Sequence, residues 1–165
     1  LNHEQIEKLI AFKTFNDIEV RQGLVSSLLG LNNNLAIDTL IELSDDKVAS
    51  IRNWATFGIG TQIETDNDNI RKALWNRTSD KNQDTKLEAI VGLANRNDIK
   101  VKEIIKQELI NGEFGTLLFE AIELLDCVEL IPLLKDNLNS GKSDSNVNPE
   151  WLKDLEILID KLENK

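Results

Sequence analysis

One set of apolar positions recurs four times along this 165-residue chain, and that recurrence limits the possible folds more than any other feature. The segments begin at Val20, Ile51, Thr85 and Leu117, at successive offsets of 31, 34 and 32 residues. Four places into each stands Leu24, Ala55, Ala89 or Ala121, followed by Val25, Thr56, Ile90 or Ile122. Four places beyond the Leu/Ala column come Leu28, Ile59, Leu93 and Leu125. Positions i, i+4, i+5 and i+8 share one face of a helix, so each segment predicts a helix with a single apolar stripe.

A second helix follows each time, over Ala36 to Leu40, Ile70 to Leu74, Val101 to Ile105 and Leu130 to Leu134. Short polar breaks, 32–34, 65–68 and 95–98, separate helices within the first three units. They are rich in Asn and Asp, which end one helix and cap the next. Pro132 falls near the start of its helix, where a missing N–H removes no intrahelical bond. Sustained period-2 alternation and Tyr are both absent, which argues against a sheet. The unit is a helix hairpin of about 32 residues, and one hairpin cannot cover its own stripe, so hairpins must stack. The predicted fold is all-α: four hairpins over 17–138 in a single domain covering 1–165.

The ends read as caps. Residues 2–14 form a helix carrying Ile6, Leu9, Ile10 and Phe12. Residues 139–147 are Asn, Ser, Gly, Lys and Asp with one Val, a composition that predicts a mobile linker. A final helix over 148–163 starts with Asn148 as N-cap and Pro149 at N1, and its stripe is Trp151, Leu152, Leu155, Leu158, Ile159 and Leu162. It reads first as a lid on the fourth hairpin, and second as a swapped or partner-docking helix.

The repeats resemble the HEAT family, and within it the bacterial phycobilisome-lyase-type HEAT-like repeats. The fingerprint is an apolar residue, Arg, two variable residues, then Ala and a small or apolar residue. It stands here as Ile51, Arg52, Asn53, Trp54, Ala55, Thr56, and again with Lys86 and Ala89. The first repeat keeps Arg21 but has Gly23 and Leu24 where Ala is usual; the fourth has Leu118 in the Arg column. The resemblance covers about 17–138 and implies a right-handed α-α superhelix whose second helices line a concave surface. Members of that family act as scaffolds, as chromophore (bilin) lyase subunits and as immunity proteins beside toxins. Fold does not carry function, so these are analogies.

Charge narrows the partner. The formal charge is −10, yet residues 71–106 hold 9 basic and 5 acidic side chains, net +4, between ends of net −6 (1–70) and −8 (107–165). A nucleic-acid groove needs cations along its length, so nucleic acid, including the mode of HEAT-type alkylpurine glycosylases, is disfavoured. Placed on the second helices, the basic island predicts a contact surface of Lys72, Trp75, Asn76, Lys102, Lys106 and Gln107, flanked by Asp38 and Glu42. Trp and Arg are the types that dominate interface hot spots. The expected partner is a protein or peptide of negative or mixed charge, held by a monomer or weak dimer. The alternatives are neutralisation of a basic toxin by the acidic ends, or a subunit of a bilin lyase.

Chemistry is not indicated. His3 is the sole histidine, Cys127 the sole cysteine, and no Ser-His-Asp, Cys-His or Gly-rich phosphate pattern occurs. The run from Glu64 to Asn69 resembles a calcium loop but has Ile70 at a ligand place and no following Gly, so capping explains it better. No metal or cofactor is expected, and Cys127 reads as a small core side chain. No apolar run approaches the ~20 residues of a membrane span, and no signal-peptide pattern is present, so a cytoplasmic location is expected. Two packing expectations complete the reading: Arg21 and Arg52 pair with acids of a neighbouring repeat such as Asp17, Asp45 or Asp46, and Trp54 lies across Gly23.

Overall fold

The structure, a computed structural model, describes residues 1–112 and 114–164. These are all-helical, with no strand among the described residues. The chain divides into two compact units, Leu1–Arg96 and a second that begins at Asn97.

The first unit holds α1 (His3–Ile10) with a 3-10 turn (Ala11–Thr14), α2 (Ile18–Leu28), α3 (Asn34–Leu43), α4 (Ala49–Thr61), α5 (Asp68–Arg77) and α6 (Gln83–Asn95). Asn and Asp start most of these helices by accepting backbone N–H groups that have no intrahelical partner. Asn2 and Gln5 form a reciprocal capping box. Asp17 accepts from the Glu19 N–H at 2.8 Å, Asn33 from Leu35 at 2.9 Å, Asn67 from Ile70 at 2.9 Å and Asn82 from Thr85 at 2.9 Å. The repeated columns face inward: Leu24, Val25, Leu28, Ala55, Thr56, Ile59, Ala89, Ile90 and Leu93 are all buried. Thr56 tolerates this place because its hydroxyl donates to the Arg52 carbonyl at 2.7 Å. The helices α2, α4 and α6 pack in sequence, α2 on α4 and α4 on α6, while α3 and α5 lie against them.

The second unit holds α7 (Lys102–Asn111), α8 (Thr116–Leu124), α9 (Ile131–Lys142) and α10 (Pro149–Glu163), with 3-10 turns at Ile99–Val101 and Val128–Leu130. Gly112, at φ +75°, ends α7 in the left-handed conformation that glycine adopts without steric cost. Asn148 caps α10 by accepting from the Glu150 N–H at 2.8 Å. Leu155, Leu158, Ile159 and Leu162 of α10 are buried, and α10 packs on α8 and α9. Trp151 completes an aromatic cluster with Phe114 and Phe119, ring centroids 5.5 and 5.6 Å away.

Two expectations are corrected. The stretch 139–147 is not a linker throughout, because α9 continues to Lys142 and Gly141 is buried. A Cβ on Gly141 would meet Leu152 Cδ2 at 2.9 Å, so docking of α10 supplies the packing that the composition alone does not promise. Trp54 does not lie over Gly23, where a Cβ would find nothing within 4 Å. Its indole is 45% exposed and rests edge-on against Phe57 at 5.7 Å.

Candidate binding face

In the first unit α3 and α5 leave a groove of about 390 Å³ between them. Asp38 and Glu42 lie one turn apart on α3, and Lys72 and Asn76 one turn apart on α5, so each pair shares a helix face. All four line this groove, with Ile41, Asp45, Asn69 and Arg77. Its two walls differ in charge: carboxylates along α3 and its C-terminal end, cations and amides along α5. Arg77 closes one end, its guanidinium donating to Asp45 Oδ1 at 2.8 Å. Glu42 is steadied from behind by Lys13 at 2.7 Å. Lys72 has no carboxylate within ion-pair distance among the described residues, and it is exposed.

Trp75 is half-buried on α5 outside that lining. Lys102, Lys106 and Gln107 belong to α7 in the second unit. Lys102 pairs with Glu129 at 2.9 Å, and that hydrogen bond raises its pKa while burial opposes it. Gln107 donates to Glu103 at 3.1 Å, and Lys106 is exposed. Four of the eight expected contacts therefore meet in one groove within the first unit.

The basic island is less cationic at the surface than its count suggests, because three of its arginines serve the fold. Arg71 grips Asp66 through two hydrogen bonds, 2.8 and 2.6 Å, which hold the Asp66 carboxyl below the usual range. Asp66 is thus engaged by a guanidinium, and its neighbour Asn67 caps α5. Arg77 binds Asp45 and Asp80. Arg96 is almost wholly buried and donates to the carbonyls of Ile59, Gly60 and Thr65 at 2.7, 2.7 and 3.0 Å, and of Gly92 at 2.9 Å. It caps the C-terminal end of α4, where a cation also meets the negative end of the helix dipole. Sequence reasoning missed Arg96, which stands in a polar break that looks solvent-facing.

The Arg column forms a repeated clamp. Arg21 grips Asp46 at 2.7 and 3.1 Å and donates to the Phe15 carbonyl at 2.6 Å. Arg52 grips Asp80 at 2.8 and 2.8 Å and donates to the Asp46 carbonyl at 3.0 Å. Each arginine fastens its own helix to the loop that opens the next repeat. The Arg52 hydrogen bonds outweigh burial and lower the Asp80 pKa. Burial pulls the Asp46 carboxyl upward, but Arg21 and the Val48 N–H together hold it low. Arg52 reaches Asp80 rather than Asp45 or Asp46, one repeat further along than Arg21's partner.

Cys127 is fully buried, and burial pushes its thiol up to about 11. A thiol so rarely ionised at neutral pH is a poor nucleophile. No group of three or more His, Cys, Asp or Glu with metal-holding geometry occurs among the described residues. No helix among them is long and apolar enough to cross a membrane.

No family model matches the chain. It is similar to protein YibA of Escherichia coli strain K12, 32% identical over 115 residues, which is 70% of this chain and 41% of YibA. The same protein of Escherichia coli O157:H7 gives the same figures: 32% identity over 115 residues. The crystal structure of Escherichia coli YibA matches 99% of this chain and 57% of its own at TM-score 0.71 and 26% identity. The sequence match thus spans 41% of the length of the curated relatives, and the name YibA states no activity.

Proposed function

We propose that this chain is a non-enzymatic interaction module of HEAT-like helix hairpins, and that the α3–α5 groove receives a peptide segment of mixed charge. The observation that carries the reading is the convergence of Asp38, Glu42, Lys72 and Asn76 on one groove whose walls differ in charge. A cationic side chain of the partner would face Asp38 and Asp45, and an anionic one Lys72. Opposed walls select orientation and register more than raw affinity. The clamps Arg21–Asp46 and Arg52–Asp80 support the repeat reading, since the same contact returns at the spacing of the repeats.

The test is a crosslinking pull-down with the full chain from its source cell, identifying what is captured and repeating it with variants. Asp38→Lys combined with Lys72→Glu is expected to abolish capture. Capture unchanged by this pair sinks the groove assignment. A second reading, neutralisation of a cationic toxin, draws on the net charge of −8 over residues 107–165. Its test is co-expression with a toxin encoded beside this chain, where rescue of growth decides.

A further inference from the structure

The second unit carries a groove of another kind. It runs between α8 and α10, holds about 600 Å³, and is floored by Phe119, Leu124, Ile157 and Leu158. Leu124 is 45% exposed and Ile157 43%, although both belong to well-formed helices. Counting from the start of each repeat, Leu124 stands in the column occupied by Gly58 in α4 and Gly92 in α6, so the fourth repeat carries an isobutyl group where the second and third carry none.

The rim is acidic. Glu120, Glu123 and Asp154 surround the floor, and the cation Lys161 is committed to Glu123 by hydrogen bonds of 2.8 and 2.9 Å. Glu120 and Asp154 have no ion-pair partner among the described residues. An apolar trough between unbalanced carboxylates fits an amphipathic helix with apolar side chains at i, i+3 or i+4 and i+7 and Lys or Arg on its flanks. An anionic membrane surface would be repelled by this rim. A second copy would bring the same rim and a chain charge of −10, which opposes self-association.

We infer that the α8–α10 groove is a docking site for a basic amphipathic helix of a partner protein, separate from the α3–α5 groove. Apolar residues of that helix seat on Leu124 and Ile157, and its cations pair with Glu120 and Asp154.

The experiment pans a display library of random peptides, each long enough for about four helical turns, against the full chain. Recovered peptides are then measured by fluorescence anisotropy. Ile157→Asp removes the floor, and Glu120→Lys with Asp154→Lys reverses the rim; circular dichroism and melting verify that each variant is folded. The expected binders are helical and basic, lose at least tenfold in affinity on either variant, weaken with added salt and are indifferent to Lys72→Glu. Binders that are acidic, that keep their affinity on both variants, or that depend on Lys72 overturn the assignment, as does a library yielding no binder. Two controls test the other occupants. Binding of the full chain to vesicles of phosphatidylserine and phosphatidylcholine, or a dimer in sedimentation that Ile157→Asp dissolves, would also overturn it.

Discussion

A Cβ placed on Gly92 would lie 2.7 Å from the Cα of Gly60, so α4 and α6 touch backbone to backbone at this pair. The same Cβ would press on Leu74 Cδ2 at 2.9 Å. An added methyl cannot be absorbed by rotating a side chain, because one of its obstacles is main chain. Overpacking of this sort costs about 1–3 kcal/mol and exceeds the roughly 1 kcal/mol that Ala gains over Gly in a helix. Gly92→Ala is expected to destabilise by about 2 kcal/mol, measured by urea unfolding.

Gly23, in α2, gives the opposite sign. It is exposed, and a Cβ there meets nothing within 4 Å. Gly23→Ala should stabilise by roughly 0.5–1 kcal/mol through helix propensity alone. Tryptophan emission should stay unchanged, because Trp54 does not rest on this site. A loss of stability, or a spectral shift, would contradict the packing described for α2.

The Arg52–Asp80 clamp predicts a specific response to acid. Asp80 has a lowered folded-state pKa, chiefly through the Arg52 hydrogen bonds. A carboxylate lowered in this way contributes stability above its unfolded pKa of about 3.9, and loses it as pH falls through the folded value. Asp80→Asn is therefore expected to cost about 3 kcal/mol at neutral pH, as for a buried pair that loses one partner. The gap to wild type should shrink below about pH 4 as the native carboxylate takes up its proton. A gap constant from pH 7 to 3 would show that Asp80 is not held by charge.

Several of these features were legible in the sequence, and the physical reasons differ. The Arg column announced a clamp because Arg21 and Arg52 recur at equivalent places ahead of acid-bearing loops. Its register for Arg52 was not legible, since three acids, Asp45, Asp46 and Asp80, lie within reach of a long side chain. The groove pairs, Asp38 with Glu42 and Lys72 with Asn76, were readable because helical spacing alone puts each pair on one face. Trp54 was misread because a column gives the face of a helix but not how far a neighbour stands from it. Residues 139–142 were misread because Asn, Ser and Gly form a helix when an apolar neighbour such as Leu152 covers them, and composition does not register that neighbour. Arg96 was hidden for a related reason: a polar break looks the same whether its arginine faces water or carbonyls.

Arg96 is the group with most to lose. Its guanidinium satisfies the carbonyls of Ile59, Gly60, Thr65 and Gly92, and burial lowers its pKa without neutralising it. Lysine offers a single ammonium in place of the planar fork and cannot reach all four oxygens together. Each carbonyl left buried and unpaired costs about 1–3 kcal/mol. Arg96→Lys should lower stability by about 3 kcal/mol, and hydrogen exchange should show the last turn of α4 opening before the rest of the first unit. Uniform loss of protection across that unit would argue against a local capping role.

Cys127 offers a probe of the second unit that is independent of any partner. It is fully buried, and burial pushes its thiol up to about 11. Both effects slow reaction with a thiol reagent, because the reagent must reach the sulfur and the attacking species is the thiolate. In the native chain at pH 8 labelling should be at least a hundredfold slower than in urea, since reaction waits on opening of the structure. The rate should also follow the stability of α8 and α9, so Leu134→Ala, which removes a fully buried side chain of α9, should speed it strongly. Fast labelling of the folded wild type would place the thiol at the surface and contradict the packing around Val128–Leu130.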